Sequence, residues 1–256
     1  MGEVIVIASQ KGGVGKTTTA INLATSLAIF GKRTLLVDLD PQGSVAASFH
    51  LQGLDIEYGL YDIVVNKIPL ALAIKDIGLD NLEIVPSHIK TEEEEVELYT
   101  QLLQKMLLRS ILSPLKSVYE YIILDCPPSL GTITMNALIA ADSLVIPVQS
   151  EYFSLNSLGK FLRTVRNIGS QFNPGLKLAG ILITMLDKRV KKSQEIADEL
   201  KYSFKDIVFN SKIPRNSKIA EAPAIGKPVA LFDVTSPGSV NYLKLAEEVI
   251  NKNNRT

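Results

Sequence analysis

Residues 10–18 read Gln10-Lys11-Gly12-Gly13-Val14-Gly15-Lys16-Thr17-Thr18, an order of glycines, lysines and hydroxyls that suits the binding of a polyphosphate. Holding phosphate oxygens requires backbone N–H groups that converge on them, and glycine lets the chain approach without a Cβ clash. Gly12, Gly13 and Gly15 meet that need. Lys16 is placed to reach the β- and γ-phosphates, the Thr17 hydroxyl to ligate Mg2+, and Thr18 to donate to the α-phosphate. A helix opening at this point adds the partial positive charge of its N-terminus. The usual spacing G-x-x-x-x-G-K-[ST] fails at its first glycine, where Gln10 stands, and an additional lysine, Lys11, follows it.

Two carboxylates could complete such a site. Asp125 ends the apolar run Tyr121-Ile122-Ile123-Leu124, where it can hold Mg2+ through a water. Asp40 follows the run Thr34 to Asp38 and can accept a proton from an attacking water. Carboxylates at strand ends lie at the ligand crevice of an α/β sheet. A lone strand-end Asp commonly caps a turn; three segments in this order argue for a site instead.

Positioning these groups requires strands that end together. Val4–Ala8, Thr34–Asp38, Leu82–Val85, Tyr121–Asp125, Leu144–Val148, Leu178–Thr184 and Ile207–Ile213 read as strands, several apolar throughout as buried parallel strands are. Helix-period segments alternate with them, which predicts a doubly wound, mostly parallel α/β sheet flanked by helices, one domain over residues 1–256. The first helix should open near Lys16, bury Ala20, Leu23, Ala24, Leu27 and Ala28, and stop at Gly31. Thr91 and Glu94 fit a capping box at the acidic run Glu92 to Glu95.

Composition narrows the function classes. A chain that is 46% hydrophobic can bury a sizeable core, yet no apolar run reaches the ~20 residues that span a bilayer. The opening Met1-Gly2-Glu3-Val4-Ile5-Val6 resembles no secretory signal, and Val6 breaks the myristoylation pattern. Cys126 is the only cysteine, so no intrachain disulfide forms and a reducing compartment is expected. His50 and His88 have no zinc-ligand spacing. Charges balance at 27 of each sign, but residues 187–218 hold nine Lys/Arg against five Asp/Glu. Lys160, Arg163 and Arg166 form a second basic stripe, opposite Leu158, Phe161, Leu162, Val165 and Ile168 of one predicted helix. A solvated face explains each of these residues as readily as a nucleic-acid contact.

Lys11 to Thr18 resembles the deviant Walker A motif, KGGxGK[ST], of the ParA/MinD ATPases. Leu36-Val37-Asp38-Leu39-Asp40-Pro41-Gln42-Gly43 looks like the second signature of that family, and Ile122-Ile123-Leu124-Asp125-Cys126-Pro127-Pro128-Ser129 like its Walker B strand and following switch. Ala137 to Ser143, Pro147 to Tyr152, Ile213 to Asn216, Glu221 to Pro223 and Gly226 to Pro228 are similar to stretches of the ParA/Soj partition ATPases. The resemblance implies ATP and Mg2+ as cofactors, with Lys11, Lys16 and Asp40 catalytic and Thr17, Asp38 and Asp125 at the metal. It implies an ATP-bound homodimer in which Lys11 crosses the two-fold axis to the other subunit's phosphates, as an arginine finger does. Met185, Pro214 and Arg215 would frame the adenine, although core packing explains Met185 equally well. Double-stranded DNA would be bound without sequence preference through Arg189 and Lys218, in the cytoplasm and on the nucleoid, and a ParB/Spo0J-like partner would stimulate a slow ATPase.

Departures from sister groups are informative. Val240, Leu243, Ala246, Val249 and Ile250 give the last helix one apolar face with mixed charges around it, which suits packing on the domain and not membrane anchoring. Paired cysteines for an iron–sulfur cluster are absent. The phosphate loop begins at residue 11, which leaves no room before it for a helix-turn-helix domain. The competing reading is a nucleotide-switched regulator of replication or division with little DNA affinity. Lys11→Ala is expected to abolish ATP hydrolysis while the far-UV spectrum stays that of the folded protein; unchanged turnover would sink the trans-lysine role.

Overall fold

The structure, a computed structural model, describes residues 1–51, 55–151 and 154–253. Tyr152, within one of the family-like stretches, and the tail residues Asn254, Arg255 and Thr256 lie outside the described residues. Eight strands form one sheet: β1 (Glu3–Ile7), β2 (Thr34–Asp38), β3 (Lys75–Leu79), β4 (Leu82–Val85), β5 (Tyr121–Asp125), β6 (Ser143–Gln149), β7 (Lys177–Leu186) and β8 (Val208–Pro214), in the order β3-β4-β2-β5-β1-β6-β7-β8. Every neighbouring pair is parallel except β3 with β4.

The mostly parallel sheet agrees with the alternation of apolar runs and helical segments, and seven of its strands are the expected ones within a few residues. β3 is the addition. Its sequence Lys-Asp-Ile-Gly-Leu carries no apolar run, because an edge strand needs only one buried face. The turn Asp80-Asn81, with Asn81 at φ 63°, folds it back on β4.

β1 is central, between β5 and β6, and the strand order reverses there. Its side chains alternate between two cores, as the pleat requires. Val4, Val6 and Ala8 belong to one core with Ile133, Ala137, Leu158, Phe161, Ile196 and Leu200 from helices Thr132–Ala140, Ser154–Phe172 and Lys191–Phe204. Ile5 and Ile7 meet Leu23, Ala24 and Leu27 from helix Lys16–Ile29, with Tyr242 and Leu245 from helix Pro237–Asn253. Ala20, Leu23, Ala24, Leu27 and Ala28 are buried as the spacing predicts. Gly31, at φ 73°, ends that helix and donates its N–H to Ala28 O.

Two local readings are corrected. Thr91 Oγ1 accepts the Glu94 N–H at 3.2 Å, but the Glu94 carboxylate reaches back one residue further, to Lys90 N at 2.6 Å. In the last helix the packed face is Tyr242, Leu245, Ala246 and Val249, whereas Val240 is 37% exposed and Leu243 only half-buried. The i, i+3, i+4, i+7 row beginning at Tyr242 faces the first helix because Tyr242 presents its hydroxyl to Thr19 at 3.5 Å. Among the described residues no helix is long and apolar enough to cross a membrane. In urea titrations Leu245→Ala should cost about 3 kcal/mol of stability and Val240→Ala less than about 1 kcal/mol; the reverse ranking would restore the sequence-derived face.

Candidate nucleotide site

The phosphate loop joins β1 to the helix that opens at Lys16. Gly13 and Gly15 have φ of 69° and 85°, the left-handed region that side chains avoid. Gly12 differs, since an added Cβ there would sit 3.7 Å from Pro128 Cβ, an ordinary contact. The requirement for glycine is therefore conformational at two positions. Thr184 Oγ1 of β7 donates to Val14 O at 2.8 Å and pins the loop from the far side. Thr17 and Thr18 occupy the first turn of the helix, half-buried.

Lys16 is buried, and its Nζ donates to Lys11 O at 3.4 Å, so the side chain curls back under the loop. Burial lowers its pKa, while the carboxylates of Asp125 and Asp40 favour the charged form. Those carboxylates converge for a topological reason. β2 and β5 are paired so that Asp38 and Asp125 are direct partners, and Ile7, in the strand that leads into the loop, pairs with Asp125 on the other side. Residues paired in register project on the same side of a sheet.

Each aspartate is held differently. Asp38 is fully buried and accepts from Asp40 N at 3.0 Å through Oδ1 and from Val45 N at 3.1 Å through Oδ2. It shapes the loop that carries Asp40; burial and then Asp125 push its own pKa well up. Asp40 is 9% exposed and accepts from Gln42 N at 3.1 Å, while Gly43, at φ 63°, donates its N–H to Asp40 O. Asp125 is fully buried, and neither of its carboxylate oxygens has a hydrogen-bonding partner among the described residues. Burial pushes its pKa up to about 7, with Asp40 adding to the rise; the neighbouring Thr17 hydroxyl and the Lys16 ammonium oppose it.

Two buried carboxylate oxygens without a hydrogen-bond partner among the described residues, beside a threonine hydroxyl, are a donor set suited to a hard cation. Among the described residues no group of three or more His, Cys, Asp or Glu makes a closed metal cage. Mg2+ fits such a sparse set, because it keeps waters and phosphate oxygens as most of its ligands. The residues present fit the group: Thr17 directly and Asp125 through the shell around it.

Lys11 points elsewhere. Its Nζ lies 2.5 Å from Glu151 Oε2 of the same chain, both side chains about half-exposed. A cleft of about 360 Å³ opens on the other side of the loop, lined by Gly15, Thr18, Met185, Pro214 and Arg215 together with Thr184, Asn216, Ile219 and Tyr242. Met185, Pro214 and Arg215 are thus brought together beside the phosphate loop. Met185 takes φ 52°, uncommon for a residue with a side chain, at the end of β7 where Arg215 N donates to Leu186 O. Thr184 and Tyr242 carry no motif, since a polar residue late in a strand or an aromatic in an apolar helix face reads as scaffold; Glu151 lies in a family-like stretch, but nothing in that stretch marks it as the partner of Lys11.

The basic candidates divide into two places. Arg189 follows β7 and Lys218 follows β8, so the pairing of those strands puts their loops side by side at the sheet edge next to the cleft. Lys160, Arg163 and Arg166 are on the helix Ser154–Phe172, in the same layer as the helix Lys191–Phe204 that follows Arg189.

Known proteins share this arrangement along most of the chain. A family described as an AAA domain matches residues 2–178. The sporulation initiation inhibitor protein Soj of Bacillus subtilis is 45% identical over 249 residues, covering 97% of this chain and 98% of Soj. The chromosome partitioning protein ParA of Myxococcus xanthus is 43% identical over 252 residues, covering 98% and 89%. Among solved structures, cobyrinic acid a,c-diamide synthase from Mycobacterium smegmatis, with bound ATP analogue and magnesium, superposes with a TM-score of 0.80 at 28% identity, covering 96% and 93%.

The raised Asp125 pKa sets a pH dependence. The folded protein holds this proton up to about pH 7 and the unfolded chain only to about pH 4, so metal-free stability falls as pH rises across that window. Without metal or nucleotide the protein should melt at a higher temperature at pH 5.5 than at pH 8, and Asp125→Asn should reduce that difference; an identical pH profile in the variant would contradict the assignment.

Proposed function

We infer function from one premise: the chain belongs to the Soj/ParA family of chromosome-partitioning ATPases, with its AAA domain over residues 2–178. ATP and Mg2+ are its cofactors. We propose that it acts as a switch, closing a sandwich dimer on ATP, binding DNA in that state without sequence preference, and releasing it after hydrolysis stimulated by a ParB-like partner. The observation that carries the reading is the union, at the C-terminal ends of the central strands β1 and β5, of the Gly13 and Gly15 cradle, the unpartnered Asp125 carboxylate and the additional lysine Lys11.

In this reading each residue has a separable task. Backbone N–H groups of residues 12–18 and the Lys16 ammonium bind the β- and γ-phosphates, drawing on the first-turn N–H groups of the helix. Asp40, on a loop ordered by Asp38 and Gly43, orients the attacking water and takes its proton. Thr17 and Asp125 would hold Mg2+, which when bound would supply charge neutralisation to the phosphates. Lys11, released from Glu151, neutralises transition-state charge on the phosphates of the second subunit. The base lies in the cleft of Met185, Pro214 and Arg215.

Arg189 and Lys218 meet DNA phosphates, and the two-fold axis doubles each contact. Phosphate contacts carry affinity without sequence information. The helix stripe of Lys160, Arg163 and Arg166, in the layer that the Arg189 loop enters, extends the footprint. With roughly six phosphates neutralised, log affinity should fall with log salt at a slope of about −5. An Asp40→Ala protein with ATP should shift random duplex in gels and lose it as salt is raised; binding equal with and without ATP would contradict the switch, and none at all would favour the regulator with little DNA affinity.

A further inference from the structure

Both loop cations assigned to DNA are already neutralised within their own chain. Arg189 makes a bidentate pair with Asp187, Nε to Oδ1 at 3.0 Å and Nη2 to Oδ2 at 2.8 Å. The same Oδ1 accepts the Arg189 backbone N–H at 3.0 Å. Lys218 Nζ is 2.8 Å from Glu221 Oε2. Asp187 differs from Glu221 in how firmly it is placed. Its side chain is 19% exposed against 86% for Arg189, and the Ser193 hydroxyl accepts the Asp187 N–H at 3.3 Å. Ser193 in turn meets Ser150 at 2.6 Å, the residue before Glu151. The Arg189 hydrogen bonds, with Arg215 nearby, hold the Asp187 carboxyl at about 2, so it is ionised throughout the working range.

A carboxylate presenting two oxygens to a guanidinium offers the planar, bidentate geometry that a DNA phosphate offers. We propose that Asp187 is an internal phosphate mimic that occupies Arg189 and holds down the DNA affinity of this loop. The inference rests on the reading of Arg189 as a DNA contact. The physical basis is competition. Moving Arg189 from Asp187 to a DNA phosphate strips one ion pair to make another and leaves a bare carboxylate near the polyanion, so little counterion is released. A lone subunit therefore gains little from touching DNA, and the doubled contacts of a dimer are needed for retention. The neighbouring charges are cations, the exposed Lys188, Lys191, Lys192 and Arg215, with Lys191 beside Glu195, so Asp187 is the carboxylate of this loop.

Asp187→Asn tests the idea with little structural cost, because an amide oxygen can still accept the Arg189 N–H and keep the turn. Anisotropy of a labelled random duplex would be read for wild type, Asp187→Asn, Arg189→Ala and the double variant, each with and without ATP and Mg2+. Asp187→Asn should bind roughly three- to tenfold tighter at moderate salt, with a log–log salt slope steeper by about 2 for a dimer, and the gain should vanish in the double variant. Weaker binding by Asp187→Asn would overturn the proposal by making Asp187 an orienting partner of Arg189. Unchanged binding by Asp187→Asn, where Arg189→Ala binds less, would overturn it while leaving the DNA reading intact. No loss in Arg189→Ala would remove the DNA role of Arg189 and the proposal with it. Circular-dichroism melts of each variant confirm folding, and Asp187→Ser repeats the charge removal should the asparagine variant not fold.

Discussion

Burying an ionisable carboxyl without a hydrogen-bond partner is among the most costly things a fold can do, and Asp125 is in that position on both oxygens. The pairing of β5 with β2 and β1 makes it unavoidable, because that register puts Asp125 beside Asp38 and directly under the phosphate loop. Lys16 and Thr17 soften the cost and do not remove it. The surrounding architecture follows from this one group: a cation is needed to complete it, phosphate oxygens are needed to complete the cation, and a cradle at Gly13 and Gly15 is needed to present them. In the proposed switch, binding of ATP with Mg2+ would offset the desolvation of Asp125 and so supply a driving force.

The same economy appears in the cations. Lys11, Arg189 and Lys218 each lie against a carboxylate of their own chain, Glu151, Asp187 and Glu221. In the proposed dimer every one of them has an intermolecular target, so closure and DNA binding exchange ion pairs and do not create them from free charges. Exchange gives a small net free energy per contact, which suits the proposed cycle of binding and release. The contiguity of Glu151, Ser150, Ser193 and Asp187 places the Lys11 and Arg189 pairs on one packed path.

Much of the site is legible in the sequence because its chemistry is local in the chain. A phosphate cradle is a run of consecutive backbone N–H groups, so Gly13, Gly15, Lys16 and Thr17 must be neighbours in sequence, and the strand-end aspartates Asp40 and Asp125 stand at the ends of apolar runs that announce themselves. The parallel sheet is legible for the same reason, since buried strands are apolar at every position. β3 escapes because an edge strand shows no such run, and the packed face of the last helix is ambiguous because both Val240 and Tyr242 begin plausible apolar rows.

What the sequence by itself determined is therefore the phosphate loop, the mostly parallel fold and the membership in a family of partitioning ATPases. What only the tertiary structure decided is which groups are paired and which are left bare: that Asp38 spends both oxygens on backbone while Asp125 has neither satisfied, that Glu151 holds Lys11 from 140 residues away, and that Thr184 and Tyr242 help to line the cleft beside the phosphate loop. The physical reason is separation along the chain. Hydrogen bonds and desolvation act between groups that the register of distant strands brings within a few ångströms, and no spacing of residues in a single segment carries that information.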